Sequence, residues 1–102
     1  MKLTTEFEPI RNWAESKGIL SNGDAKTQCI KLFEEAGELS KAILKNDEEE
    51  FIDAIGDCVV VLTNLAKLKG YNIEDCINSA YNIISKRTGK MQNGTFVKDG
   101  LW

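Results

Sequence analysis

The chain has 102 residues, of which 16 are acidic, 13 are basic and none is histidine. This length fits one domain, residues 1–102, because a division would leave two halves too small to bury a useful core. The lack of histidine excludes Ser-His-Asp triads, Cys-His pairs and histidine-ligated zinc sites. The net charge of −3 is unlike that of a nucleic-acid-binding domain, which is usually basic, so no nucleic-acid partner is expected.

The charges are segregated along the chain. Residues 34–57 hold nine carboxylates and two lysines, which is a local net charge of −7, whereas residues 58–102 carry +3. Three of the downstream cations lie close together, Lys86, Arg87 and Lys90. This acidic middle with a basic flank is the feature of the sequence that a function has to explain.

Cysteine usage and hydropathy indicate the compartment. The three cysteines form no Cys-x-x-Cys pair, and an odd number argues against a disulfide framework. They are expected to be reduced and mostly buried small hydrophobes. The N-terminal residues lack the apolar core of a signal peptide, and the longest apolar run, 58–62, is too short to span a bilayer. We expect a cytoplasmic protein with no membrane partner.

Cap residues and glycines predict four amphipathic helices. The first begins at a capping box formed by Thr5 and Glu8 and ends at Gly18, before a loop at 21–23. The second extends from an N-cap at Asp24 to about residue 45.

The second half of the chain continues this pattern. Asn46 ends the second helix, and Asp47 caps a third that continues to about residue 69. Asn72 caps a fourth helix, which ends at Gly89. The Asn-Gly pair at 93–94 predicts a turn or small hairpin in the tail, residues 91–102.

These elements predict an all-α fold, a four-helix-bundle-like subunit with a short C-terminal tail. The helices are apolar over wide faces for so short a chain. Pairing with further copies would bury that surplus, so a homodimer or homotetramer is expected.

Acidic side chains stand among the apolar residues of the two central helices. Glu35 and Glu38 are three residues apart and can converge on one ion, and Asp53 and Asp57 share a face of the next helix. Asp57 directly precedes an apolar run, where a carboxylate is costly unless it is paired or binds a metal. A pocket of oxygen ligands suits Mg²⁺ or Mn²⁺. The alternative is a solvated acidic face.

The motif Glu-Glu-x-Gly-Glu-Leu at 34–39, followed by Ile-Gly-Asp-Cys-Val-Val-Val-Leu at 55–62, resembles the MazG-like nucleoside triphosphate pyrophosphohydrolases. The resemblance extends over most of the chain and is greatest to short single-domain phage and bacterial members. It implies cleavage of a nucleoside triphosphate between the α and β phosphates, which releases a monophosphate and pyrophosphate.

The family motif Glu-Glu-x-x-Glu, then Glu-x-x-Asp, implies metal ligands at Glu35, Glu38 and Asp57. Its fourth ligand position falls on Ala54, which cannot bind a metal. Asp53 stands one residue earlier, and its side chain projects about 100° around the helix axis from that of Ala54. It could replace the missing ligand only if the helix rotates slightly or a water bridges the gap.

The resemblance implies attack by a water molecule, and because the chain has no histidine, a carboxylate must polarise that water. Glu34 is the first candidate for this role and Asp53 is the second. Phosphate oxygens would meet basic groups, and the base and sugar would meet Trp13 and Asn82. The proposed phosphate-binding residues are Lys31, Lys86, Arg87 and Lys90. Alternatives stay open for several of these: an ion pair of Lys31 with Glu35, a core position for Trp13, and favourable placement of the last three cations at a helix C-terminus.

Two other functions compete with the enzyme. A bundle that lost turnover with the fourth ligand would still bind nucleotide or metal and act as an interaction or regulatory module. A purely structural helical dimer would bind neither, and it leaves the acids around residue 36 unexplained.

Overall fold

The computed structural model describes residues 4–100, with side chains from residue 6 onward. The ends of the predicted tail and of the N-terminal segment, 101–102 and 1–3, lie outside the described residues. The described residues form five helices and one two-stranded antiparallel sheet, which confirms the all-α class. In chain order these are α1 (Thr4–Ser16), α2 (Ile19–Asn22), α3 (Ala25–Lys45), α4 (Glu48–Leu68), α5 (Ile73–Ile84), β1 (Gly89–Gln92) and β2 (Thr95–Lys98).

The predicted caps of the two central helices are confirmed. The Asp24 carboxylate accepts a hydrogen bond of 2.8 Å from the Thr27 backbone N–H at the start of α3. Asp47 accepts one of 3.1 Å from the Glu50 N–H at the start of α4. Between the two helices Asn46 has φ 55°, a left-handed conformation that asparagine tolerates well. The two-residue connection makes α3 and α4 an antiparallel pair.

Helix α4 is the central element, because α1, α2, α3 and α5 all pack against it. The contact with α3 involves small residues, Ala42 and Ala54, which are both 1% exposed and allow close approach. Helix α3 contacts no described helix other than α4. The subunit is therefore an open assembly around α4 and not a closed four-helix bundle.

A buried ion pair joins α1 to α5. Arg11 is 6% exposed, and its two terminal nitrogens each donate a 2.6 Å hydrogen bond to one oxygen of Glu74. Glu8 accepts a third bond of 2.9 Å from Arg11. The bonds that Arg11 donates hold the pKa of Glu74 below its ordinary value, since they favour the ionised carboxylate.

Several predicted boundaries at the first helix are wrong. The helix extends over Thr4–Ser16, so Thr5 lies inside it and not at the N-cap position, and the carboxylate of Glu8 pairs with Arg11. The predicted loop at 21–23 is largely the single turn α2, which Gly18 introduces with φ 78°.

The predicted fourth helix also ends early, at Ile84 and not at Gly89, because Gly89 is paired in the sheet with Lys98. Asn72 occupies the N-cap position of that helix, but its side chain makes no capping bond and accepts from Lys67 at 3.5 Å. The predicted hairpin is confirmed, with Asn93 (φ 50°) and Gly94 (φ 83°) in its turn.

The core of the single chain is small. Its buried apolar residues are Phe7, Ala14, Ala42, Ala54, Val61 and Ile73. The expectation of mostly buried cysteines is wrong: Cys29 and Cys76 are exposed and Cys58 is half-buried, because the helix faces that carry them are uncovered. The radius of gyration is 16.0 Å, against about 13 Å for a compact domain of 100 residues. None of the described helices is both long and apolar enough to cross a membrane.

Glu74→Gln should destabilise the fold by about 2–3 kcal/mol at pH 7, because it weakens two charge-assisted hydrogen bonds and leaves Arg11 buried. Glu8→Gln, at an exposed partner, should cost less than about 1 kcal/mol. The depressed pKa of Glu74 contributes stability above its unfolded pKa, which is lost as pH falls through the folded value. Urea unfolding at pH 7 and at about pH 3 measures this. A Glu74→Gln deficit that persists undiminished at the acidic pH contradicts the assignment.

Candidate active site

A cleft of about 360 Å³ lies between α1 and α4 and is lined by Glu6, Pro9, Ile10, Trp13, Asp57 and Val60. Its walls are mostly apolar. Trp13 is 48% exposed, so it lies outside the core and presents an indole surface to the cleft. Asp57 is half-buried and supplies a carboxylate to the same space. An aromatic wall beside a carboxylate can hold an aromatic base at one end and a polar or cationic group at the other.

The carboxylates of α3 stand at the level of Asp57. Asp57 is ten residues beyond Asp47 and residue 36 is ten residues before Asn46, so the two positions lie side by side on the antiparallel pair. Glu35 and Glu38 therefore bracket Asp57 within about one helical turn. The side chain of Glu35 is 16% exposed, whereas Glu38 is exposed.

The donor set suits a hard divalent cation in its chemistry but is incomplete in its arrangement. Glutamate and aspartate oxygens are the ligands that Mg²⁺ prefers. Over residues 6–100, no three aspartate, glutamate or cysteine side chains are grouped so that they could hold a metal ion. Mg²⁺ usually binds through one or two carboxylates together with substrate phosphates. The residues present therefore supply ligands of the right chemistry for such a cation but do not by themselves complete its coordination.

The fourth ligand position of the motif is closed in this chain. Ala54 is 1% exposed and packs within the α3–α4 contact. Asp53, which the sequence offers as a substitute, is exposed. Because its side chain projects about 100° from that of Ala54, Asp53 faces away from this contact.

Lys31 lies between two of the motif glutamates. Its ammonium nitrogen is 3.5 Å from an oxygen of Glu34 and 3.6 Å from an oxygen of Glu35. The ion pair considered from the sequence is therefore present. Glu34 itself is 62% exposed at its side chain, so water reaches it freely.

The remaining proposed contacts lie elsewhere. Asn82 is exposed on α5. It lies eight residues after Glu74, which pairs with Arg11 of α1, and this separation is about 12 Å along the helix. Lys86 and Arg87 are in the connector before β1, and Lys90 is in β1. None of these four lines the cleft that contains Trp13.

Asn64 is a polar residue that sequence reasoning missed. It is 3% exposed, and its side-chain oxygen has no hydrogen-bond partner among the described residues. It lies seven residues after Asp57, so both side chains occupy nearly the same face of α4. The available signal was its position just after the apolar run 58–62 and before Leu65 and Ala66, because an unpaired buried amide costs about 1–3 kcal/mol.

Comparison with known proteins agrees with this motif. The model of the MazG nucleotide pyrophosphohydrolase domain matches residues 24–91, and the chain belongs to that family. An uncharacterized 18.2 kDa protein in the rep-hol intergenic region of Haemophilus phage HP1 is 43% identical over 58 residues. That match includes 57% of this chain, which spans about a third (36%) of the length of the phage protein. No solved structure matches the chain.

The family match begins after α1. The whole α3–α4 pair and α5 lie within residues 24–91, whereas Trp13 and the α1 wall of the cleft precede them. The contribution of Trp13 is therefore visible in the structure and not in the family match.

Ala54→Glu should test whether position 54 faces a cation site. The buried carboxylate lowers the melting temperature without metal, and added Mg²⁺ should raise it by about 4–8 °C, which corresponds to about 1 kcal/mol. Ala54→Gln has similar size without the charge and should not respond to Mg²⁺. Thermal unfolding followed by circular dichroism measures both. An equal Mg²⁺ response of the two variants contradicts a cation site beside position 54.

Proposed function

We propose that this chain hydrolyses nucleoside or deoxynucleoside triphosphates to the monophosphate and pyrophosphate, as a step of nucleotide-pool housekeeping. The observation that carries the proposal is the placement of Asp57, the last motif carboxylate, in the same cleft as the exposed Trp13. Membership of the MazG family supports the reaction class. The base would stack on Trp13, and the phosphates would extend towards the α3–α4 carboxylates.

Mg²⁺, with Mn²⁺ as a substitute, is the proposed cofactor. Asp57, Glu35 and Glu38 would hold it, with Asp53 as a further ligand through water. When bound, the cation neutralises charge on the phosphates and polarises them towards attack. An acidic cleft repels a free triphosphate, so the nucleotide and the cation should bind together.

Glu34 is the proposed general base, and Asp53 is the second choice. Glu34 is solvent-exposed and lies one residue from Glu35, so it can accept a proton from a water held near the carboxylates. Its neighbour Lys31 can release it and contact a phosphate oxygen once substrate is bound. Lys86, Arg87, Lys90 and Asn82 remain proposed contacts to phosphate and sugar.

A homodimer or homotetramer is part of the proposal. Helix α4 carries an apolar stripe formed by Ile52, Ile55, Val59 and Leu62, which are spaced three, four and three residues apart. Ile52 is 68% exposed, Ile55 is 43% exposed and Leu62 is 39% exposed. Leu62 of this stripe and Ile77 of α5 line one apolar depression, so the exposed apolar surface continues from α4 onto α5. Burying this surface against another copy would supply the core that the single chain lacks.

A second function is favoured by Ala54. With the fourth ligand replaced by a buried alanine, the chain would bind a nucleotide–cation complex without turnover and act as an interaction or regulatory module. Calorimetry that detects nucleotide binding, in a sample that forms no product, would support this function over the enzyme.

A panel of common and damaged nucleoside triphosphates with Mg²⁺ or Mn²⁺ should reveal pyrophosphate release, with identification of the monophosphate. Asp57→Asn should reduce turnover by about 100-fold or more, because it removes a charge that is needed at the phosphates. Glu49→Gln, at an exposed acid near the start of α4, is the control and should retain activity. Helical circular dichroism verifies folding. Wild-type turnover by Asp57→Asn contradicts the site, and silence across the panel contradicts the enzyme.

Trp13 offers a direct measurement of nucleotide binding, because the chain has only one other tryptophan. In a Trp102→Phe background, nucleotide with Mg²⁺ should quench the Trp13 fluorescence through base stacking. Trp13→Ala should weaken binding by about tenfold or more, as expected for one base–aromatic stack. Trp13→Phe keeps part of the stack and should fall between the two. Nucleotide affinity that is independent of residue 13 contradicts this placement of the base.

A further inference from the structure

The β1–β2 hairpin packs against no described helix of its own chain. Its two strands, of four residues each, pair only with each other. A hydrogen bond of 2.8 Å from the Asp99 N–H to the Thr88 carbonyl closes its open end. Isolated two-stranded hairpins are marginally stable in water, so this one needs a surface to cover it.

One face of the hairpin is apolar. Met91 and Phe96 are directly paired across the strands and so lie on the same face, 65% and 50% exposed. A Cβ atom added at Gly89 would come within 2.6 Å of the Phe96 ring, so glycine is required there for the ring to lie across β1. The apolar face is thus preformed and uncovered.

The hairpin segment is also basic. Four cations and one carboxylate occur in residues 86–99. Within the described part of the chain, Lys86 and Lys90 form no ion pair or side-chain hydrogen bond. Strand alternation places Lys90 on the face opposite Met91 and Lys98 on the same face as Phe96. Lys86 lies in the connector that leads into β1.

The outer face of α3, turned away from α4, matches these properties. Its apolar side chains Ile30, Phe33 and Leu44 are 63%, 73% and 83% exposed. Between them lies Gly37, where an added Cβ would meet nothing within 4 Å. Glycine weakens a helix interior, and nothing in the described part of the chain requires it at this position. A close approach by another molecule explains it.

Acidic side chains border this face. Glu34 and Glu38 are both exposed and lie 60° to 100° around α3 from Gly37, inside the segment of net charge −7. The face therefore combines an apolar notch with an acidic margin, as a complement to the apolar and basic hairpin.

We infer that the hairpin of one chain packs its Met91–Phe96 face on the outer face of α3 in a second copy, around Gly37, and brings Lys86 beside Glu34 and Glu38 there. The candidate active site would then be built from two chains, with carboxylates from one and phosphate-binding cations from the other. This catalytic consequence rests on the proposed function, whereas the packing does not.

Zero-length carbodiimide cross-linking tests the packing without activity. A carbodiimide joins an amine to a carboxylate in direct contact, so Lys86 should couple to Glu34 or Glu38. With equal amounts of ¹⁴N and ¹⁵N chains refolded together, the cross-linked peptides should carry mixed labels. Lys86→Arg/Lys90→Arg keeps both charges but cannot couple, and it should lose these products. Cross-links with matched labels only, or to other carboxylates only, overturn the inference.

Sedimentation tests the apolar contact. Met91→Ser/Phe96→Ser should weaken association by about tenfold or more, and Gly37→Leu should do the same by filling the notch. Gln92→Ser/Thr95→Ser alters the opposite face of the hairpin and is the matched control, with wild-type association expected. If Met91→Ser/Phe96→Ser associates as tightly as the wild type, the apolar face is not an interface.

Mixing two inactive variants tests the shared site. Lys86→Ala/Lys90→Ala and Asp57→Asn should each have little activity alone. In an equal mixture, half of the dimers contain one chain of each variant. In such a mixed dimer, one of the two shared sites has wild-type carboxylates from one chain and wild-type cations from the other. About a quarter of the wild-type activity should therefore return. No recovery means that the cations act within their own chain, which overturns the shared site. An inactive wild type refutes the proposed function instead, and leaves the cross-linking result to decide the packing.

Discussion

Asn46 and Asp47 reverse the chain between two helices of 21 residues, and the resulting antiparallel pair holds the rest of the structure in place. Alanines at the contact allow the two backbones to approach closely. The pairing sets the carboxylates of α3 level with Asp57, and it leaves the other side of α4 for α1, α2 and α5. The cleft beside Asp57 exists because α1 occupies that side.

The same architecture leaves the subunit incomplete. Helix α3 is covered on one side only, and the hairpin is not covered by any described helix. Among residues 6–100 few large side chains are buried, so this part of the chain has little hydrophobic free energy to oppose its conformational entropy. Large apolar side chains on α3 and on the hairpin are exposed, and the buried side-chain oxygen of Asn64 has no hydrogen-bond partner among the described residues.

Local chemistry made much of this fold predictable. The caps at Asp24 and Asp47 and the turn at Asn93 were identified correctly, since each depends on a side chain and its neighbours within a few residues. The errors occur where a tertiary or sheet contact overrides local preference. Glu8 pairs with a buried arginine, and Gly89 is held in a strand by its partner in β2.

By itself, the sequence determined the helical class, the central helix pair and the acidic motif, because helix periodicity and carboxylate spacing are properties of consecutive residues. Only the tertiary structure decided that Trp13 faces a cleft with Asp57, that Ala54 is buried at the fourth ligand position and that the hairpin packs against no described helix. These outcomes depend on which helix faces meet across the chain, and no local preference specifies them.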